Sequence, residues 1–74
     1  MDNHTLLDET LLSLRLAAEN FPGGPKSVQT LRNFCMRGVR GVKLESIKLG
    51  GRRATSREAI VRFVNRVTEA ANRN

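Results

Sequence analysis

Arg52 and Arg53 follow directly on a Gly50-Gly51 pair, and Gln29, Thr30, Arg32, Asn33 and Arg37 share a stretch with no carboxylate. A guanidinium carries a rigid fork of donors that matches phosphate or the guanine edge, and Gln or Asn amides match the adenine edge. These residue types suit recognition of a polyanion and not bond making. Catalysis finds no comparable set. His4 is the single histidine, near the terminus and without a ligand partner, so Ser13, Ser27 and Thr55 have no base beside them in sequence and act as helix-cap candidates. Cys35 is the lone cysteine; it forms no internal disulfide, belongs to no CxxC or His/Cys cluster, and falls on an apolar helix face as a packing residue. No catalytic residue, metal or cofactor is expected, and the chain does not read as an enzyme.

The charge distribution agrees with a polyanion partner. Residues 1–25 carry Arg15 against Asp2, Asp8, Glu9 and Glu19, a net −3. From Lys26 onward twelve Lys and Arg face Glu45, Glu58 and Glu69, a net +9. Such asymmetry bears on partners more than on fold. The positive residues surround turn signals and are not confined to one solvated helix face, which favours a binding surface over mere solubility. With 74 residues the chain forms one small domain with a thin core. It has no apolar run near the ~18 residues of a membrane span, and its acidic start is unlike a secretory signal, so a reduced, cytoplasmic setting is expected.

These residues must be positioned by a few short elements. Leu6, Leu7, Leu11, Leu12 and Leu14 are the apolar positions of the opening, which leaves open whether 5–12 make a separate short helix. Ser13 is a candidate N-cap for a helix through Leu14, Ala17, Ala18 and Phe21. Phe21-Pro22-Gly23-Gly24-Pro25 then makes a turn. Ser27 caps a second helix whose buried face is Val28, Leu31, Phe34 and Cys35 and which ends at Gly38.

Val42 and Leu44 alternate with polar residues, and Ile47 and Leu49 do so in the opposite phase, so an extended segment bent near Ser46 is expected. Gly50-Gly51 supplies the positive φ of a tight hairpin with arms Ile47 to Leu49 and Arg53 to Thr55. Thr55-Ser56-Arg57-Glu58 has the spacing of a capping box with Thr55 as cap. The last helix buries Ile60, Phe63, Val64, Val67 and Ala71. Phe21, Phe34 and Phe63 all fall on apolar faces, which leaves no exposed aromatic for stacking on single-stranded bases.

The expected fold is therefore α+β and mostly helical, in the order helix, helix, β-hairpin wing, helix: a winged helix-turn-helix. An N-terminal extension covers 1–12, the folded unit 13–71, and 72–74 fray. A helix of this kind fits the duplex major groove, about 12 Å wide. Within the second helix, Ser27 to Arg37, Arg32 is placed for guanine and Gln29 or Asn33 for adenine. Lys26, Ser27 and Thr30 lie at its N-terminal end, where the helix dipole favours phosphate. Arg37, Arg40 and Lys48 add to the DNA-facing set, and Arg52 and Arg53 on the wing reach the phosphate backbone or the minor groove.

Three segments carry a family resemblance: "SLRLAAE" (13–19), "VQTL" (28–31) and "IKLGGRRATSREAIVRFV" (47–64). Together they resemble the MerR-like and excisionase-like winged-helix DNA-binding domains. "RGVRGVKLESIKLGGRRATSREA" (37–59) is similar to a group of short uncharacterised bacterial proteins of that superfamily. The resemblance covers about residues 13 to 67. It implies duplex DNA binding, with the second helix in the major groove and the wing on adjoining backbone or minor groove. For excisionases it further implies an accessory role in recombination, with DNA bending and contact to an integrase; a small transcription regulator is the other role within the family. Two departures stand: "NFPGGPKS" (20–27) is longer than the usual turn, and there is no long dimerisation helix or effector domain, so ligand-responsive control is not implied. Partners would be double-stranded DNA and an integrase, a recombinase or a second copy on DNA, with no membrane or small-molecule ligand. The alternatives are a protein-interaction adaptor on the same fold, or RNA binding.

Overall fold

The computed structural model describes residues 9–72. Three helices and three strands follow in the order β1 (Leu11–Ser13), α1 (Leu14–Glu19), α2 (Val28–Met36), β2 (Ile47–Leu49), β3 (Arg52–Ser56) and α3 (Arg57–Ala71). The strands form one antiparallel sheet in the order β1-β3-β2, an α+β architecture.

Each helix starts on a serine that withdraws one backbone N–H from solvent. The hydroxyls of Ser13, Ser27 and Ser56 accept from the N–H groups of Leu16, Thr30 and Ala59 at 3.2, 3.1 and 2.8 Å. The first two are the caps expected from sequence. The third replaces the expected Thr55 cap: β3 runs one residue further, Thr55 is fully buried, and its hydroxyl donates to the Glu45 carbonyl at 2.7 Å. Glu58 does not close a capping box either, because its Oε1 accepts the Thr10 N–H at 3.1 Å. It still places a carboxylate in the first turn of α3, where the helix dipole favours it.

Leu11 and Leu12 form a strand in place of the short helix left open over 5–12; they pair with Ser56 and Thr55, and Ser13 pairs with Ala54. Residues 5–8 and His4 lie outside the described residues, as do 73 and 74, while Asn72 caps α3 through its N–H. The segment Val42 to Ser46 is not the expected bent strand. Val39 and Val42 exchange two 2.8 Å backbone hydrogen bonds around Arg40 and Gly41, whose φ angles are 51° and 81°. The result is a tight turn that leads Leu44 inward, 2% exposed, with its N–H on the Phe34 carbonyl.

Leu31, Leu44, Ile60, Phe63 and the small residues Ala17, Ala18 and Ala59 build the core. Phe21, Phe34 and Phe63 meet there with ring centroids 5.0 to 6.5 Å apart. Burial of Phe21 explains how the long α1–α2 connection is held: its ring is anchored in the core, and the Lys26 N–H donates to the Ala18 carbonyl at 2.8 Å. Cys35 is half-buried against the same cluster, whereas Ala71 at the end of α3 is exposed.

α2 ends at Met36 with Arg37 as its C-cap, and Gly38, φ 82°, follows with its N–H on the Asn33 carbonyl at 3.0 Å. A Cβ there would meet the Val42 carbonyl oxygen at 2.4 Å. Gly38→Ala is therefore expected to destabilise the fold by about 2 kcal/mol, strain and backbone displacement together, read as a lower denaturant midpoint at unchanged m-value. An unaltered midpoint would show that the Val39–Val42 turn yields freely.

Candidate nucleic-acid interface

Among the described residues the carboxylates are largely spent inside the protein. Arg62 donates to both Glu9 oxygens at 2.9 and 3.2 Å and, through Nε, to Glu45 at 2.9 Å, with a second short contact from Nη2 to Glu45. Those hydrogen bonds, Glu9 first and Glu45 second, raise the proton affinity of Arg62, so the guanidinium is charged at any accessible pH. Glu58 serves Thr10, and Glu19 lies 3.6 Å from Arg15. The basic residues of α2 and the hairpin have no such carboxylate partner among the described residues.

The β2–β3 hairpin turns through Gly50 and Gly51 at φ 57° and 87°, with Leu49 opposite Arg52, a two-residue turn of type I′ geometry. Arg52 and Arg53 both belong to β3, and successive residues of a strand point to opposite faces. Arg52 is exposed at the turn. Arg53 is half-buried, donates to the Ser46 hydroxyl at 2.9 Å, and stands directly opposite Lys48. Two cations facing each other across strands cost the sheet a few tenths of a kcal/mol or more, roughly 0.2–1, which an anion would offset.

On α2, Gln29, Arg32, Asn33 and Arg37 are exposed and Thr30 is half-buried. Ser27 and Thr30 hydroxyls bond each other at 2.8 Å in addition to the cap, and the Gln29 amide donates to Asn33 at 3.3 Å. Lys26 precedes the cap and is exposed; Arg40 is exposed on its own turn. The expected set is thus spread over α2, the Arg40–Gly41 turn and the hairpin. Arg32, Arg52 and Arg53 are the members that come together: with Ser13, Leu14, Gly51 and Arg15 they line one groove of about 270 Å³.

Arg15 is the residue the sequence reading missed. It sits in the net-negative first third of the chain, and only the pairing of β1 with β3 carries the start of α1 alongside the hairpin. Residues 13–68 match the family described as a protein of unknown function (DUF1580). The chain belongs to the DUF1580 family. No curated protein and no solved structure matches it. All of the groove residues fall inside the DUF1580 match, whereas Glu9, which joins the Arg62 cluster, lies before it. Among the described residues no group of three or more His, Cys, Asp or Glu is placed to hold a metal ion, and no helix is long and apolar enough to cross a membrane.

Proposed function

We propose that this chain is a duplex DNA-binding protein of the winged helix-turn-helix kind, related to the MerR-like and excisionase-like domains. α2 enters the major groove, and the β2–β3 hairpin is the wing on adjoining backbone or minor groove. Its biological role is that of an accessory factor in recombination or of a small transcription regulator, with an integrase, a recombinase or a second copy as partner on the DNA. One observation carries this reading: α2 and a tight hairpin present arginines to a common groove with no carboxylate in its lining, while Glu9, Glu45 and Glu58 are engaged elsewhere in the fold and Glu19 makes only an exposed pair with Arg15. The order of two consecutive helices followed by a hairpin supports it. So does the way the hairpin is held, since β1 pairs with β3 and fixes the wing beside α1.

The test is an NMR titration of the labelled protein with a random-sequence duplex, at low salt and near physiological salt. Shifts concentrated in residues 26–37 and 50–55 that weaken steeply with salt are expected. Absence of shifts at low salt would overturn the DNA reading and leave an acidic protein partner or RNA as the object of the basic face.

A further inference from the structure

Resting on the DNA reading, we infer that the groove between α1, α2 and the hairpin is a clamp for one backbone phosphate, held jointly by Arg15, Arg32 and Arg52, and that Arg15 is a DNA contact. The three come from three different elements and line the same small space, with Arg53 also in its lining. Three cationic residues line this space without a carboxylate among the lining residues, and like charges brought together there repel one another unless an anion sits among them. Arg32 and Arg52 are exposed and have no carboxylate partner among the described residues. Arg15 is paired with Glu19 at 3.6 Å, with side chains 82% and 58% exposed, so that pair is weak and can be exchanged for phosphate. Arg53 is different: its guanidinium is committed to Ser46 at 2.9 Å, which keeps the hairpin rigid and its charge fixed beside the site.

A diester phosphate with its first waters fits a space of about 270 Å³ that is open to solvent. The clamp also changes two assignments. Arg32 grips backbone in place of reading guanine, which leaves base selection on α2 to Gln29 and Asn33. On this assignment the hairpin rides the sugar-phosphate chain and does not enter the minor groove, because Arg52 lines the groove it shares with Arg32 of α2.

The experiment follows the arginine Nε–H resonances of the full chain during titration with a random duplex, together with affinities of Arg15→Gln, Arg32→Gln, Arg52→Gln and their pairwise combinations. All three resonances are expected to move with one midpoint. Each single variant should bind about tenfold more weakly, the size of one charge-assisted hydrogen bond. Residues sharing one phosphate are coupled, so each double variant should fall short of the product of its two singles by a factor of about three or more. Unchanged melting temperatures would separate these losses from unfolding, and if any variant melted early the resonances of the unaltered protein alone would decide. A duplex that binds while Arg15 stays still, or losses that simply multiply, would overturn the clamp and leave the DNA reading intact. A duplex that does not bind at all would overturn both.

Discussion

Raising salt from about 50 to about 200 mM is expected to weaken binding of a random duplex roughly a thousandfold, the consequence of about five to seven phosphate contacts at a slope near −0.9 per contact. That count comes from the basic residues of α2, the Arg40 turn and the hairpin that have no carboxylate partner among the described residues. Reversing two charges in the groove, Arg32→Glu with Arg52→Glu, should cost about a hundredfold or more at low salt, because each site then repels the backbone it had attracted. Arg66→Ala on α3, exposed and outside the groove lining, is the control and should change affinity by less than about threefold. Fluorescence anisotropy of a labelled duplex reads all three proteins. A shallow salt slope, or a double reversal no worse than the control, would show that the basic face serves a different partner.

Elements whose signals are local are the ones that could be read from the chain. The serines at 13 and 27 announce helix starts because cap hydroxyl and donor N–H lie three residues apart, and Gly50-Gly51 announces the hairpin because a two-residue turn needs positive φ at both positions. β1 carries no such signal. It is three residues long, and its partner lies more than forty residues away in sequence, so nothing near Leu11 specifies a strand. The shift of the α3 cap from Thr55 to Ser56 has the same origin. Both residues are capable caps, and what decides is burial of Thr55 in β3 with its hydroxyl on the Glu45 carbonyl. Around residue 42 the alternation of Val42 and Leu44 is outweighed by an Arg-Gly turn, for which the pattern "VRGV" was the available signal.

The groove shows the same division between local and long-range information. Arg52 and Arg53 are conspicuous beside their glycines, yet their different roles follow from strand alternation and from Ser46, which sequence proximity does not rank. Arg15 is hidden by its acidic surroundings in the linear charge count. A sheet order of β1-β3-β2 turns that linear segregation into a spatial meeting, with a residue from the negative third of the chain facing two from the positive part. Folding therefore sharpens the charge asymmetry: Glu9 from the acidic third and Glu45 from the basic part are both drawn onto Arg62, away from the groove-lining arginines.

That cluster is where the largest loss of stability is expected. Glu9 has a side chain only 2% exposed; it accepts from two Arg62 nitrogens and from the Ser56 hydroxyl at 2.6 Å, so it ties the N-terminal arm to α3 and to the cap of that helix. Arg62→Ala withdraws both guanidinium donors from a buried carboxylate and should destabilise the protein by about 3 kcal/mol. For a domain of this size that corresponds to a melting temperature lower by roughly 12–24 °C. Glu45→Gln should cost less than about 1 kcal/mol, since Glu45 is 43% exposed and water can replace the contact. The raised proton affinity of Arg62 supplies stability that is fully present below the ordinary arginine range and is lost only above it, so no alkaline transition from this residue is expected at any accessible pH. Pairing Arg62→Met with Glu9→Leu should recover part of the loss, because the double substitution removes the buried carboxylate charge together with its guanidinium partner. Calorimetry of the three variants decides the matter: a melting temperature within 3 °C or so of the unaltered protein for Arg62→Ala would mean that the arm is held by its strand pairing and its remaining contacts.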